Sequence, residues 1–173
     1  MQPFPRKIRV DIAAQRLDLL ETTAPGDQND HGGGEEVLAS FVISSSGYGL
    51  GTEPGSLKTP LGRFAVAEKI GEGAPLGAVF KSRLPTGEIA PFHSPGSPDD
   101  LVQTRILWLE GLEPHNANTR ERFIYIHGTN HEENIGTPCS HGCIRMRNAD
   151  VAVLFEMVTA GTEVLIEAKP SVV

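Results

Sequence analysis

From His127 to Met146 the chain reads His-Gly-Thr-Asn-His-Glu-Glu-Asn-Ile-Gly-Thr-Pro-Cys-Ser-His-Gly-Cys-Ile-Arg-Met, twenty residues that hold three of the six histidines and both cysteines. A free thiol, with a pKa of about 8.5, becomes a nucleophile at neutral pH when an imidazole takes its proton or backbone amides stabilise the thiolate. Cys143 has candidates for both. His127 follows the apolar run Phe123-Ile-Tyr-Ile126, so a strand would present it to a neighbouring strand as general base. Its second ring nitrogen would then need a carboxylate or carbonyl partner. Gly142 lets the backbone turn so that the amides of Gly142 and Cys143 converge, as an oxyanion hole requires. The pattern suits acyl transfer. Ser140 beside His141 is a poorer nucleophile candidate, because adjacent residues seldom present their side chains to each other. The same stretch contains the elements of a zinc site in His127, His131, Cys139, His141 and Cys143, but not the two spaced pairs that structural zinc more often uses.

Several elements must position these residues. Ile8, Val10 and Ile12 alternate with charged residues, and Arg16-Leu-Asp-Leu19 repeats the alternation, predicting a hairpin through Ala13-Ala-Gln15. Thr22 to Gly34 is rich in turn formers and reads as an exposed loop. Val37 to Ser44 reads as a buried strand feeding the glycine-rich Ser45-Ser-Gly-Tyr-Gly-Leu-Gly51, which lacks the Lys and Ser/Thr of a phosphate loop and is expected to form a lip of the site. Thr59-Pro-Leu-Gly62 reads as a turn before the strand Arg63–Glu68, with Phe64 and Val66 on one face. Residues 71–104 form a long Gly-, Pro- and Ser-rich excursion without enough apolar residues for a second core. Ile106–Leu109 and Phe123–Ile126 are strands, with Trp108 and Phe123 expected in the core. Val151, Leu154, Phe155 and Val158 predict one helix over about 148–160, capped by Asn148 and ended by Gly161. Thr162–Glu167 closes the chain as a strand. His31, His93 and His115 are expected at the surface and His131 in a solvated loop.

The whole chain of 173 residues therefore reads as one domain, mainly β, with a sandwich or open-barrel architecture. Its 39% hydrophobic and 21% charged residues are those of a folded globular protein. A net charge of −7 with scattered Lys and Arg argues against nucleic acid as a partner. No apolar run approaches the roughly 18 to 20 residues of a membrane span, and the first residues lack the apolar stretch of a secretory signal. Two cysteines four positions apart are no framework for stapling a fold, and a chemical role suits them better.

Ile126-His-Gly-Thr-Asn130, Ile135-Gly136 and Ser140-His-Gly-Cys-Ile-Arg-Met146 together resemble the signature of the L,D-transpeptidase (YkuD-type) catalytic domain. The likeness extends to the opening hairpin at Ile8–Leu17, to Thr59-Pro-Leu-Gly-Arg-Phe64, to Asp150 and to Gly161–Ile166. The resemblance implies a β-sandwich or open barrel of mixed sheets. It also implies a cofactor- and metal-free cysteine enzyme acting on peptidoglycan stem peptides. In that pattern Cys143 attacks the L-centre of meso-diaminopimelate and expels D-alanine, and an amine resolves the thioester into a 3→3 cross-link. Water as acceptor would make the protein an L,D-carboxypeptidase. From another class, the alternative is a zinc-stabilised module that binds cell-wall peptide without turning it over. Carried over, Cys143 is nucleophile, His127 base, the Gly128 carbonyl its orienter, His141 a supporting residue, and Gly142 and Cys143 the oxyanion donors. Arg145, Ser140 and Thr129 would serve the substrate side, with Arg145 a carboxylate-binding or conformational element and Ser140 in a structural hydrogen bond. Carbapenem-type lactams are the covalent inhibitors implied, and the cell envelope the expected location, although no export signal is visible. Cys139 lies outside the signature and is a bystander or a redox partner of Cys143.

Overall fold

Alternating apolar residues bring Ile8 and Val10 of β1 (Arg6–Asp11) and Leu17 and Leu19 of β2 (Arg16–Thr22) to one buried face. The two strands form the expected hairpin. The computed structural model describes residues 5–23 and 34–168. Residues 24–33 of the expected exposed loop, His31 among them, lie outside the described residues. The chain continues through β3 (Glu35–Ser44), β4 (Gly62–Ile70), β5 (Ala78–Lys81), β6 (Leu84–Ile89), β7 (Val102–Gly111), β8 (Tyr125–Thr129) and β9 (Ile144–Met146). It ends in α1 (Asn148–Met157) and β10 (Glu163–Glu167).

All ten strands join one mixed sheet in the order β4-β10-β1-β2-β3-β9-β8-β7-β5-β6. An additional pairing of β4 with β7 closes eight of them into a ring, and the β5–β6 hairpin hangs from the first residues of β7. Only β1–β10 and β8–β9 run parallel. The main core gathers Ile8, Val10, Leu17 and Phe64 with Leu107, Ile126, Ile144 and Met146, and with Val151, Leu154 and Phe155 of α1, which packs on β7 and β8. Among the described residues no helix is long and apolar enough to cross a membrane.

The expected mainly β fold with one principal helix is present, with local differences. Asn148 is the first residue of α1 rather than its cap. The capping position is Arg147, without a side-chain bond, because the Asn148 side chain is buried and bonded to β7, β8 and Glu132. The helix stops at Met157, where Val158 turns extended, rather than at Gly161. Val158 stays in the core from outside the helix. β3 is mostly open to solvent: Val37 and Val42 are half-exposed, and only its last two residues, Ile43 and Ser44, are buried. Those same two residues are the ones that pair with β9. The 71–104 excursion carries β5 and β6, and β7 begins inside its expected span, at Val102. Phe123 is half-exposed and Trp108 only partly buried, so neither is a full core residue.

Candidate active site

β8 and β9 position the chemistry. Their parallel register aligns Ile126 with Ile144 and His127 with Arg145, and Cys143 immediately precedes β9. Every residue of β8 is buried, so His127 is presented from a rigid strand at 3% exposure. Its Nδ1 lies 2.6 Å from the Gly128 carbonyl oxygen. A carbonyl only accepts, so Nδ1 carries the proton and the neutral ring keeps the Nε2 lone pair for base chemistry. Burial pushes the His127 pKa below 6.5, against the opposing pull of the Gly128 bond and the Asp100 charge, so the ring is neutral at pH 7. Gly128 has a steric reason to be glycine: a Cβ there would fall 2.5 Å from Asn148 Oδ1 and 2.7 Å from the Gln103 carbonyl.

Cys143 Sγ accepts the Tyr125 backbone N–H at 3.3 Å and donates to the Phe123 carbonyl at 3.4 Å. Burial pushes the thiol up to about 11, with Asp100 adding to the shift and the Tyr125 amide, Arg145 and Arg122 opposing it. The resting pair is thus a neutral thiol and a neutral imidazole. The turn before Cys143 is closed by Ser140, whose fully buried hydroxyl donates to the Cys143 carbonyl and accepts the Gly142 N–H at 3.2 Å. Gly142 has φ +124 there, a conformation that side-chain-bearing residues rarely adopt. Thr59 holds the turn from across the fold, donating to the Gly142 carbonyl at 3.0 Å while accepting the Ser46 N–H at 3.0 Å.

Several expected roles change with this geometry. The Gly142 amide is spent on Ser140, so it does not stand beside the Cys143 amide as a free oxyanion donor. Ser140 makes the structural bond foreseen for it and is too deeply buried to touch substrate. Thr129 likewise has no exposure, its hydroxyl accepting the His131 amide and its carbonyl the Asn148 side chain. Arg145 is buried on Asp100 Oδ2, with Nη1 3.6 Å from Cys139 Sγ and, among the described residues, no partner for its Nε. His141 is exposed, 2.9 Å from the same Asp100 oxygen and in ring contact with Tyr48 at 5.8 Å, which puts the glycine-rich loop at the lip of the site. His131 is not loosely solvated: it binds the Asp99 carbonyl at 2.7 Å and Glu133 at 3.0 Å. His93 and His115 are exposed, facing Glu133 and the Leu61 carbonyl respectively. Among the described residues no three His, Cys, Asp or Glu side chains converge as metal ligands.

Asp100 is the functional group that the sequence left hidden. Burial raises its pKa, but Arg145, His127 and His141 outweigh this and hold the carboxyl below its usual value. It is the anion common to both arms of the site. The one sequence signal is its place just before β7, the strand that pairs with β8. A cavity of about 280 Å³ beside the thiol's loop is lined by Leu57, Arg122, Phe123, Ile124 and His141, among others.

Residues 5–166 match the YkuD family, the L,D-transpeptidase catalytic domain. YqjB of Bacillus subtilis (strain 168), named as an L,D-transpeptidase, is 46% identical over 72 residues, covering 41% of this chain and 38% of that protein. YkuD of the same organism is 38% identical over 88 residues, covering 49% of this chain and 46% of that one. The chain thus spans less than half the length of these curated relatives. Among solved structures, the L,D-transpeptidase of Xylanimonas cellulosilytica DSM 15894 superposes with a TM-score of 0.56 at 20% identity, over 96% of this chain and 62% of that one. With the family's match covering nearly all of the chain and its fold found here, the protein belongs to the YkuD family of L,D-transpeptidase catalytic domains.

Proposed function

We propose that the chain is a cysteine acyltransferase that cuts and rejoins peptidoglycan stem peptides. The observation that carries this reading is the neutral His127, its Nδ1 fixed on Gly128, on the strand that runs parallel to β9, which is immediately preceded by a thiol held by backbone donors and acceptors. Cys143 Sγ attacks the carbonyl at the L-centre of the donor's meso-diaminopimelate, and the thiol proton passes to His127 Nε2. The tetrahedral intermediate collapses with cleavage of the amide bond to D-alanine, which leaves as an amine carrying that proton. An acceptor amine then attacks the thioester, gives a proton through His127, and returns the thiol as the new amide forms. Water in place of the amine releases an acid instead, the L,D-carboxypeptidase outcome. The Cys143 N–H serves as the oxyanion donor in this reading, since the Gly142 N–H is engaged.

Proton transfer in the transition state suits this pair better than a resting ion pair. With the thiol pushed up to about 11 and the imidazole held below 6.5 by burial, the neutral form is favoured over the thiolate–imidazolium form. Lactams are the natural acyl probes, because solved structures of similar fold include LdtMt1 with imipenem and L,D-transpeptidase 3 of Mycobacterium tuberculosis with a faropenem-derived adduct. Incubation with a carbapenem followed by intact-mass spectrometry is expected to give one adduct on the native protein and on Cys139→Ala, and none on Cys143→Ala. An adduct that survives Cys143→Ala, or none on the native protein, overturns the assignment.

A further inference from the structure

Arg145, the arginine nearest the nucleophile in sequence, is buried on Asp100 and presents no face to a ligand. Arg122, whose charge reaches Cys143, is spent on the Gly51, Lys58 and Ser56 oxygens. A third arginine stands at the same site in a different state. Arg83 occupies the tip of the β5–β6 hairpin, where Ser82 and Arg83 have φ of +49 and +66. Two-residue turns of this kind normally call for Asn-Gly, because side chains are disfavoured at positive φ. Something must therefore hold this tip, and the contacts of Arg83 do so. Its guanidinium lies 4.6 Å from the Trp108 ring centre and 5.0 Å from that of Phe123, while Nη1 donates to the Tyr125 hydroxyl at 3.2 Å. Trp108 and Phe123 stack on each other at 6.1 Å, so the planar cation rests on a fixed aromatic platform.

Two further observations give this cation a task. Among the described residues no carboxylate lies within ion-pair distance of Arg83, whereas Arg120, over the same Trp108 ring, is neutralised by Glu68 at 3.3 Å. Two of the three residues that brace Arg83 also touch the sulfur: Tyr125 through its amide and Phe123 through its carbonyl. An uncompensated guanidinium with unspent donors, fixed on aromatic rings one residue's reach from a nucleophile, matches a carboxylate in charge and in planar geometry. We infer that Arg83 is the carboxylate receptor of the donor subsite, so that the ligand is an anionic peptide held through the carboxylate of its terminal D-alanine or of its diaminopimelate side chain. The inference rests on the acyl-transfer reading for the identity of that peptide.

The test separates the two. In the Cys143→Ala background, which binds without turnover, calorimetry compares three tetrapeptides: the free donor, the donor with its terminal D-alanine as the carboxamide, and the donor with the diaminopimelate carboxylate amidated. One amidated peptide is expected to bind about tenfold more weakly than the free donor, and which one identifies the carboxylate. Adding Arg83→Gln should remove that difference, and Arg83→Lys should restore part of it. Equal affinities for all three peptides, no binding at all, or a preference that persists in Arg83→Gln overturns the inference. Selective binding by Cys143→Ala with no turnover of any peptide by the native protein would instead overturn the acyl-transfer reading and leave Arg83 as the receptor.

Discussion

Asp100→Asn probes the electrostatics of the site most directly, because this carboxylate raises both the His127 and the Cys143 pKa and neutralises the buried Arg145. A thiol pushed from 9.0 up to about 11 is ionised at pH 8 about a hundredfold less than an unshifted one. Iodoacetamide consumes the thiolate, so Cys143 in the native protein should react about a hundredfold more slowly than a free thiol, with no plateau near neutral pH. In the variant one negative charge disappears and the Arg145 guanidinium loses its counter-ion. Unit charges about 10 Å apart at an effective dielectric of about 20 interact by about 1.7 kcal/mol, somewhat under twentyfold, which is an upper bound for an exposed or screened pair. Alkylation of Cys143 at pH 8 should accordingly rise about tenfold. For His127 the sign is opposite in its consequence: with Asp100 gone its pKa falls further, so the acid limb of the kcat/KM profile moves to lower pH. The assay is alkylation rate against pH from 6 to 10.5, with peptide mapping to separate Cys143 from Cys139. A native Cys143 profile that levels off near neutral pH, or a variant that alkylates more slowly, would refute the neutral-pair description.

Thr59→Val removes a buried hydroxyl that serves the Gly142 carbonyl and the Ser46 amide at once; it should cost about 2–3 kcal/mol by urea unfolding, and Thr59→Ser should recover most of it. Gly128→Ala drives a Cβ against Asn148 and the Gln103 backbone, so about 1–3 kcal/mol of stability should be lost, together with acylation by a lactam, as the carbonyl that orients His127 shifts. Because the folded His127 pKa lies below its unfolded 6.5, that residue's contribution to stability is full above pH 6.5 and is lost as pH falls through the folded value. Between pH 7 and 5 the unfolding free energy of the native protein from urea melts should fall with a slope of at most about 1.4 kcal/mol per pH unit from this group, and His127→Gln should flatten it.

The candidate pair, His127 and Cys143, could be named from the sequence because the signals for it are local. Phe123–Ile126 reads as a strand from composition alone, and β8 does take up Tyr125 and Ile126, although Phe123, at φ +56, lies outside it; Cys143 sits in a Ser-His-Gly-Cys turn whose glycine the backbone needs at φ +124. The residues that complete the site come from far along the chain. Thr59 reaches Gly142 across 83 positions and Asp100 reaches Arg145 across 45. Alternation identifies strands but not their neighbours, so the proximity of these groups could not be read before the sheet order was known. The same lack of context explains the misread cap. Asn148 has the residue type of an N-cap, but buried acceptors on β8 and on Glu132 offer its amide stronger partners than the solvent-facing end of a helix. It also explains β3, where a β-branched composition suggested burial, while actual burial follows the two residues that find a strand on the side away from β2.

Asp100, Arg145 and His141 account together for how a buried arginine and an unionised thiol coexist a few residues apart. A guanidinium at 4% exposure would be costly unpaired, and it would also pull a neighbouring thiol toward ionisation. Burial sets the high thiol pKa, and the Asp100 carboxylate answers both effects, compensating Arg145 and adding to the upward shift of the thiol. His127 can be the base for that thiol because its strand keeps the ring dry, neutral and fixed by one carbonyl. On the proposed acyl-transfer reading, this arrangement keeps the thiol slow toward small electrophiles in water and lets it react when an acyl group is seated within reach of both residues. On that reading selectivity depends on what seats the acyl group, the task inferred for Arg83 on the hairpin that the ring of eight strands leaves outside.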